Sequence, residues 1–236
     1  MKLLSDKRHA ENINSSKQVP LINSVHFDVK QFLETTKELL FNERDFQMHL
    51  ATYLRQTGHY DDVDVEYYVP LSELDDYVWN NELRIDVLTR KDEEFLPIEL
   101  KYKTRSVWKH LPRFGEILSS EVEVMKNQGA QDLGKYDFWK DVRRIELVRK
   151  RFKSIKNGLA VFLTNDPAYL KSGRDTSNHL KFSMTEGAHG KEKHWLDNES
   201  ICYKMRPNFD VEKEYSIHWE SKEVEGITIN YTSLII

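Results

Sequence analysis

The sequence lacks the features that mark secreted and membrane-spanning proteins. Its single cysteine, Cys202, excludes an internal disulfide framework and fits a reducing compartment. The uninterrupted apolar runs, such as residues 159–163, have the length of a strand and fall short of a membrane span. Charged residues follow the first few residues at once, which excludes a secretory signal there. We therefore expect a cytoplasmic protein without membrane contacts.

Neither sign of charge dominates the chain. Its 236 residues include 35 Lys and Arg against 39 Asp and Glu, for a formal net charge of −4. Nucleic acid would feel no global attraction to such a protein, so any binding must come from a local basic surface. The hydrophobic share of 39% and the chain length suffice for one sizeable core.

The chain is divided by the point at which periodic patterns begin. Residues 1–25 are polar, mixed in charge and without periodicity, which predicts a mobile N-terminal segment and a folded domain starting near Val25. We expect residues 26–236 to form a single domain. Its core would span about residues 42–164, and residues 165–236 would form a C-terminal extension.

Hydrophobic periodicity predicts the order helix, three strands, helix, strand in the core. The first helix has Asn42 as its N-cap and ends at Gly58. Strands are predicted at 63–69, 83–89, 95–102 and 159–163, and residues 106–155 are predicted to be mostly helical, with the Asn157-Gly158 pair as the end of that helix. A mixed central β-sheet flanked by helices would result.

The C-terminal extension has weaker patterns. Asp166 before Pro167 is typical of a helix start. Residues 171–197 are rich in Gly, Ser, Lys and His and predict a long loop. Further strands are plausible at 201–205, 215–220 and 227–235, which would add extra C-terminal strands to the α/β core.

Two carboxylates and an ammonium lie near the ends of adjacent predicted strands. Asp86 belongs to the strand 83–89, while Glu99 and Lys101 belong to the strand 95–102. Because strand side chains alternate at period two, Glu99 and Lys101 share one face. By the same rule Ile85 and Val87 should share a face opposite to Asp86. One face of this strand pair would pack against the hydrophobic core, and the other would present the side chains that take part in the reaction.

The acid on one strand and the Glu-x-Lys on the next resemble the PD-(D/E)xK nuclease superfamily, which includes restriction endonucleases. Ile85 stands where the family often has Pro. The resemblance implies a restriction endonuclease-like core and a Mg²⁺ or Mn²⁺ site with Asp86, Glu99 and the Leu100 carbonyl as ligands. It also implies that Lys101 orients or helps to deprotonate the attacking water.

Two further acids have functional and structural interpretations. The superfamily often adds an acid from the first helix or the preceding strand, and these positions correspond to Glu43 and Glu66. A first-turn acid such as Glu43 also stabilises its helix through the helix dipole. Glu66 is equally consistent with a solvated strand residue.

A basic stretch follows the Glu-x-Lys directly. Lys103, Arg105 and Lys109, with Trp108 among them, are candidate nucleic-acid-binding residues because phosphate contacts supply affinity without base specificity. The helix residues 143–156 are a second basic stretch lying mostly off the apolar stripe. Basic faces are commonly exposed to solvent without binding a ligand. Only the position of the first stretch, directly after Lys101, therefore favours it as a nucleic-acid-binding surface.

These patterns support a metal-dependent nuclease that hydrolyses phosphodiester bonds, with DNA as the favoured substrate and a homodimer as a weaker expectation. A non-catalytic DNA-binding or assembly protein that retains the core is the alternative. A third hypothesis is an unrelated domain whose hairpin mimics the motif, because Glu-x-Lys occurs by chance in many strands. Metal binding through Asp86 and Glu99 would separate the mimic from the enzyme.

Overall fold

Two amphipathic helices begin the fold, which a computed structural model describes over residues 19–236. Helix α1 spans Leu21–Thr35 and helix α2 spans Glu43–Thr57. The Asn42 side chain accepts a hydrogen bond from the backbone N–H of Asp45, and Gly58 closes α2 in the left-handed conformation, as predicted. Because α1 begins at Leu21, the expected start near Val25 is wrong; the rest of the N-terminal segment, residues 1–18, lies outside the described residues.

A mixed six-stranded sheet forms the centre. Its strands are β1 (Asp62–Val69), β2 (Leu83–Lys91), β3 (Glu94–Lys103), β8 (Leu159–Thr164), β13 (Glu220–Val224) and β14 (Ile227–Ile235). They are arranged in the order β1, β2, β3, β8, β14, β13, and β3 pairs with β8 in parallel while the other pairs are antiparallel. The four predicted core strands are confirmed, and β14 and β13 extend the sheet beyond β8.

Apolar side chains cover both faces of the sheet. One cluster joins α1 and α2 to the sheet through residues such as Phe46, Leu50 and Ile98. The other joins α3 (Gln131–Arg151) to the opposite face through residues such as Val142 and Phe162. The result is a three-layer α/β arrangement in which β3 and β8 are buried at the centre.

The prediction of a mostly helical region over 106–155 is wrong for its first half. Residues 105–126 form a protrusion, here named the hairpin arm, built from the short strands β4 (Val107–Lys109), β5 (Pro112–Arg113), β6 (Glu116–Ile117) and β7 (Val122–Met125). Pro112 lacks the amide hydrogen that a helix interior needs, and Gly115 supplies a turn. These two residues are the reason that the segment folds back as a hairpin.

Helix α3 ends before the predicted Asn157-Gly158 cap. Its last residue is Arg151, and the cap residue Phe152 donates its backbone N–H to the carbonyl of Val148. The next residues lie along β3, where the Phe95 amide donates to the carbonyl of Ser154. Pairing with β3 therefore ends the helix, and this is a tertiary contact.

The C-terminal extension differs from its prediction in three places. One is the strand predicted at 215–220, where β12 (Tyr215–Ile217) ends before β13 begins at Glu220, and the two pair in different sheets. Residues Ile201–Met205 form a short helix, α4, instead of a strand, because the Ser200 side chain accepts the amide of Tyr203 as an N-cap. The segment 171–197 is not a plain loop, since it contains a 3₁₀ turn (Leu180–Phe182) and the strands β9 (Gly187–His189) and β10 (Glu192–Lys193). The remaining strands are β11 (Phe209–Asp210) and β12 (Tyr215–Ile217), and a 3₁₀ turn follows Asp166.

None of the helices within residues 19–236 combines the length and the hydropathy that crossing a membrane requires.

Candidate functional site

Asp86 lies where the regular alternation of β1 and β2 is interrupted. The ladder pairs Val65 with Val87 and Tyr67 with Ile85, and Glu66 between them has a left-handed backbone with φ of 53°. Ile85 packs in the cluster with α3, whereas Val87 packs in the cluster with α1 and α2. The expectation that Ile85 and Val87 share a face is therefore wrong, because this local distortion shifts the alternation at Asp86.

Glu99 and Lys101 lie on the face of β3 that is covered by α3, as their spacing predicts. Ile98, Leu100 and Tyr102 belong to the opposite cluster. Glu99 is buried, with only 2% of its surface exposed. The strand thus directs an acid and a cation into the space between the sheet and α3.

The ammonium of Lys101 is surrounded by acceptors. Its Nζ lies 2.8 Å from Oδ2 of Asp141 on α3 and 3.7 Å from Oε1 of Glu43 on α2, and it donates to the Leu100 carbonyl at 3.0 Å. Asp141 was not predicted from the sequence. Its spacing could have revealed it, because Phe138, Asp141 and Val142 follow the i, i+3, i+4 pattern of a buried helix face.

Arg144 holds Asp141 from the same helix. Its Nη1 lies 3.3 Å from Oδ1 of Asp141, and its Nη2 donates to the hydroxyl of Tyr77 at 3.1 Å. Arg144 is buried, so its placement on a solvated basic face is wrong. Helix α3 contributes an acid and a cation to this site in addition to its apolar stripe.

Glu43 and Glu66 both lie beside the site. Oε2 of Glu43 accepts the backbone N–H of Tyr102 at 3.0 Å, which ties the start of α2 to β3. Gln47 donates through Nε2 to Oε1 of Glu66 at 3.0 Å and to the carbonyl of Asp86 at 2.8 Å. Glu66 itself is exposed and connects to Asp86 through this amide. Gln47 is a further residue that sequence reasoning missed.

Two acids of the site, Asp86 and Glu99, resist ionisation. Burial raises the pKa of Asp86 to about 6; Asp141 adds to this shift, and Lys101 and the Leu100 amide oppose it. Burial, together with Asp86 and Asp141, raises the pKa of Glu99 well above its usual range. This is the behaviour of a group of carboxylates that has too little positive charge nearby.

Lys101 responds in the opposite direction. Burial by itself would lower its pKa, but the surrounding carboxylates, led by Asp141 and Glu43, raise the pKa of the ammonium well above its usual range. Lys101 therefore keeps its proton near neutral pH. It can orient a ligand or stabilise negative charge, and it is unsuited to act as a base.

The donor set fits a hard divalent cation. Oε1 of Glu99 is buried without a hydrogen-bond partner among residues 19–236, and Oδ2 of Asp86 accepts only one strong bond there, at 2.6 Å from the Leu100 amide. Carboxylate and carbonyl oxygens are preferred by Mg²⁺, which keeps several of its waters. Within the same part of the chain, no group of three or more His, Cys, Asp or Glu side chains is arranged to hold a metal.

No family model, curated protein or solved structure significantly matches this chain.

The predicted nucleic-acid-binding residues differ in their surroundings. Lys103 is half-buried on the same strand as Lys101. Arg105 is largely exposed at the base of the hairpin arm, with its Nε 3.9 Å from Oδ1 of Asp166. Lys109 Nζ lies 2.5 Å from Oε2 of Glu225, so an acid already neutralises it. Trp108 is 58% exposed. Arg105 is thus the cation of the three that is most open to a ligand.

The second basic stretch, on α3, is largely neutralised. Its arginines pair with acids from other elements or from their own helix, in the pairs Arg143 with Glu146, Arg149 with Glu212 and Arg151 with Glu73. An apolar cavity lies next to it, lined by residues that include Tyr67, Phe95 and Phe152, and none of the site carboxylates borders that cavity.

A polar groove opens near the carboxyl ends of β3 and β8. Arg105, Asn127, Asn165 and Asn230 are among the residues that line it. The Arg105 amide donates to Oδ1 of Asn165 at 2.7 Å, which fixes the base of the hairpin arm against the end of β8.

Proposed function

We propose that the protein is a metal-dependent nuclease whose core, residues 42–164, is restriction endonuclease-like. The observation that carries the proposal is the convergence of Asp86, buried Glu99 and Lys101 on adjacent strands, where Glu99 keeps an unpartnered oxygen. DNA as the substrate, a homodimer and a cytoplasmic setting stay predictions.

Each side chain has a role in this proposal. Asp86, Glu99 and the Leu100 carbonyl would hold Mg²⁺ or Mn²⁺, which when bound neutralises charge on a phosphodiester and supplies an activated water. Lys101 stays protonated and stabilises negative charge on the phosphate. Asp141 and Glu43 position the Lys101 ammonium from two helices.

The flanking residues bind and position the substrate. Gln47 fixes the distorted segment at Asp86 by donating to its carbonyl, and Glu66 accepts from the same amide. Arg105 follows Lys103 in the chain, further from the carboxylates, and would contact a phosphate of the substrate. Lys109 would have to leave Glu225 to do so.

The test is cleavage of supercoiled plasmid and of single-stranded DNA with Mg²⁺ or Mn²⁺, using wild type, Asp86→Ala, Lys101→Ala and Asp141→Asn. We expect Asp86→Ala and Lys101→Ala to lose at least about a hundredfold in rate, because each removes a group that acts on the reacting phosphate. Asp141→Asn should lose less, since it removes a positioning contact.

Glu82→Gln is the matched control, because Glu82 is an exposed acid that pairs with Arg84 outside the site. Its cleavage rate should equal that of wild type. Failure of folded wild-type protein to cut either substrate, or equal rates in wild type and Asp86→Ala, would contradict the proposal.

A non-catalytic nucleic-acid-binding or assembly protein that retains the core is the second candidate. It differs from the enzyme in needing no metal ion at Asp86 and Glu99. Calorimetric titration with Mn²⁺ decides between the candidates. Binding that is lost in Asp86→Ala supports the enzyme, and salt-dependent DNA binding without cleavage or metal binding supports the second candidate.

A further inference from the structure

The hairpin arm leaves the sheet directly beyond the carboxylates. Its base is closed by Thr104, whose hydroxyl donates to the carbonyl of Lys126 at 2.7 Å and whose own carbonyl accepts from Gln128 at 2.7 Å. Its strand pairs, β4 with β7 and β5 with β6, are separate from the six-stranded sheet. The outer part of the arm, β5 with β6, is therefore a two-stranded ribbon outside the six-stranded sheet, whereas Val107 and Met125 at the base of the arm are buried in the core cluster of α1 and α2.

The tip of the arm has a conformation that its sequence disfavours. Arg113 pairs with Glu116, so Phe114 and Gly115 form a two-residue turn, with φ of 53° and 86°. Positive φ at both positions defines a type I′ turn, whose first position normally holds Asn, Asp or Gly. A bulky residue there is strained. Phe114 is also fully exposed, so its ring buries no apolar surface in return.

The cost of Phe114 to folding indicates a role outside folding. Backbone strain of this kind persists at ligand contacts, where the strained residue does something that a relaxed one would not. Ile117, paired with Pro112 beside the turn, is also exposed, so the tip presents a small apolar surface to solvent. Something other than this chain's own core is expected to cover that surface.

The form of the arm favours nucleic acid as the partner. A two-stranded ribbon is one of the elements that the major groove of a duplex admits. Phe is among the side chains that wedge between base steps, and exposed aromatic rings stack on unpaired bases. Trp108 and Arg105 add an exposed ring and a cation nearer the base, beside the polar groove.

We propose that the hairpin arm contacts nucleic acid and that its tip carries the Phe114 ring into a groove of the substrate, where it packs against the bases. This inference rests on the proposed function for its partner. The chain from Glu99 to Phe114 reaches at most about 50 Å at the rise of a strand, which is roughly one and a half turns of a duplex. The tip would therefore engage the substrate within about one and a half turns of the site.

The charges on the arm predict how salt acts on this contact. Glu116 lies opposite Arg113 in the ribbon and offsets its charge, so the tip gains little from phosphate attraction. The contribution of Phe114 should therefore change little with salt. Arg105 is largely exposed, and replacing it should reduce the slope of log Kd against log salt by about one.

The experiment measures binding to a fluorescein-labelled DNA duplex by anisotropy, without divalent cations and in an Asp86→Ala background, so that cleavage does not interfere. Phe114→Asn is compared with Phe27→Ala, since Phe27 on α1 is a phenylalanine that is 62% exposed and lies outside the arm. Asn suits the left-handed turn, so Phe114→Asn should fold at least as stably as its parent. We expect it to raise Kd about fivefold or more at every salt concentration, and Phe27→Ala to leave Kd unchanged.

A duplex with 2-aminopurine tests the position of the ring. The parent should raise the fluorescence of the probe by unstacking it, and Phe114→Asn should not. Unchanged Kd in Phe114→Asn would overturn the inference, as would equal losses in both variants. Loss of a dimer in Phe114→Asn with unchanged Kd would overturn it too and assign the tip to contact between copies.

Failure of this inference and failure of the proposed function give different experimental results. If neither cleavage nor binding depends on Phe114, the proposed nuclease activity is supported and the proposed role of the arm is rejected. If DNA binding depends on Phe114 but the protein cuts neither plasmid nor single-stranded DNA, the role of the arm is supported and the proposed catalysis is rejected.

Discussion

At the scale of single residues, the site is a buried excess of acid. Asp86, Glu99, Asp141 and Glu43 surround Lys101, and Arg144 adds a second cation behind Asp141. Unpaired buried charge is costly, which is why the pKa values of Asp86 and Glu99 rise. Such an arrangement weakens the folded state in the absence of a cation and gives a cation a place to bind.

Glu99→Gln tests this balance. The amide keeps the shape of Glu99 and removes an ionisable group whose charged form is disfavoured by burial, so we expect the free energy of unfolding at neutral pH without divalent cations to increase by about 1–3 kcal/mol. Mg²⁺ should stabilise wild type and leave the variant unaffected. Chemical unfolding with and without Mg²⁺ measures both effects, with Glu82→Gln as the control. A less stable Glu99→Gln that Mg²⁺ still stabilises would show that Glu99 has a structural role.

At the scale of elements, the site depends on where α2 begins. The Asn42 cap fixes the first turn, from which Glu43 reaches Lys101 and the Tyr102 amide, and Gln47 follows one turn later. The hairpin arm shows the opposite case. The sequence predicted its residues as part of a mostly helical region, whereas Pro112 and the turn at Gly115 favour the short strands that the structure has there.

Asn42→Ala should reduce the free energy of unfolding by about 1 kcal/mol, because the Asp45 amide loses its acceptor. Asn42→Ser keeps a capping oxygen and should lose much less. Urea denaturation of both variants measures the difference. Equal stabilities of the Ala and Ser variants would mean that the cap does not hold the first turn of α2.

At the scale of the whole molecule, the C-terminal extension completes the core beneath α3. Phe182, Trp195 and Phe209 pack around Tyr136 of α3, so residues 165–236 belong to the same hydrophobic cluster as the α3 stripe. Lys193 is enclosed there, with its Nζ 3.7 Å from the centre of the Trp139 ring and 2.7 Å from the Gly190 carbonyl. Burial, with a contribution from Lys181, lowers the pKa of Lys193 to about 7.

This lowered pKa predicts the pH dependence of global stability. Between about pH 7 and the unfolded value of 10.5, the unfolded chain holds a proton on Lys193 that the folded chain lacks. Stability therefore rises with pH across that window, by up to about 1.4 kcal/mol per pH unit from this group. Lys193→Met should remove this rise.

Urea denaturation from pH 6 to pH 10 would measure the slope, with the exposed Lys191 as the site of a control Lys→Met change. The same slope in wild type and Lys193→Met would contradict the lowered pKa. A flatter profile in Lys191→Met would show that the slope does not belong to Lys193.

The sequence by itself determined the elements whose causes lie within a few residues. The Asn42 cap, the Gly58 stop, the shared face of Glu99 and Lys101 and the buried strand β8 follow from capping and from period-two or period-3.6 patterns. Only the tertiary structure decided which side chains meet. Asp141 reaches Lys101 from α3, pairing with β3 ends that helix, and the distortion opposite Glu66 sends Ile85 and Val87 to different faces. Those outcomes depend on contacts between elements far apart in the chain, which local periodicity does not encode.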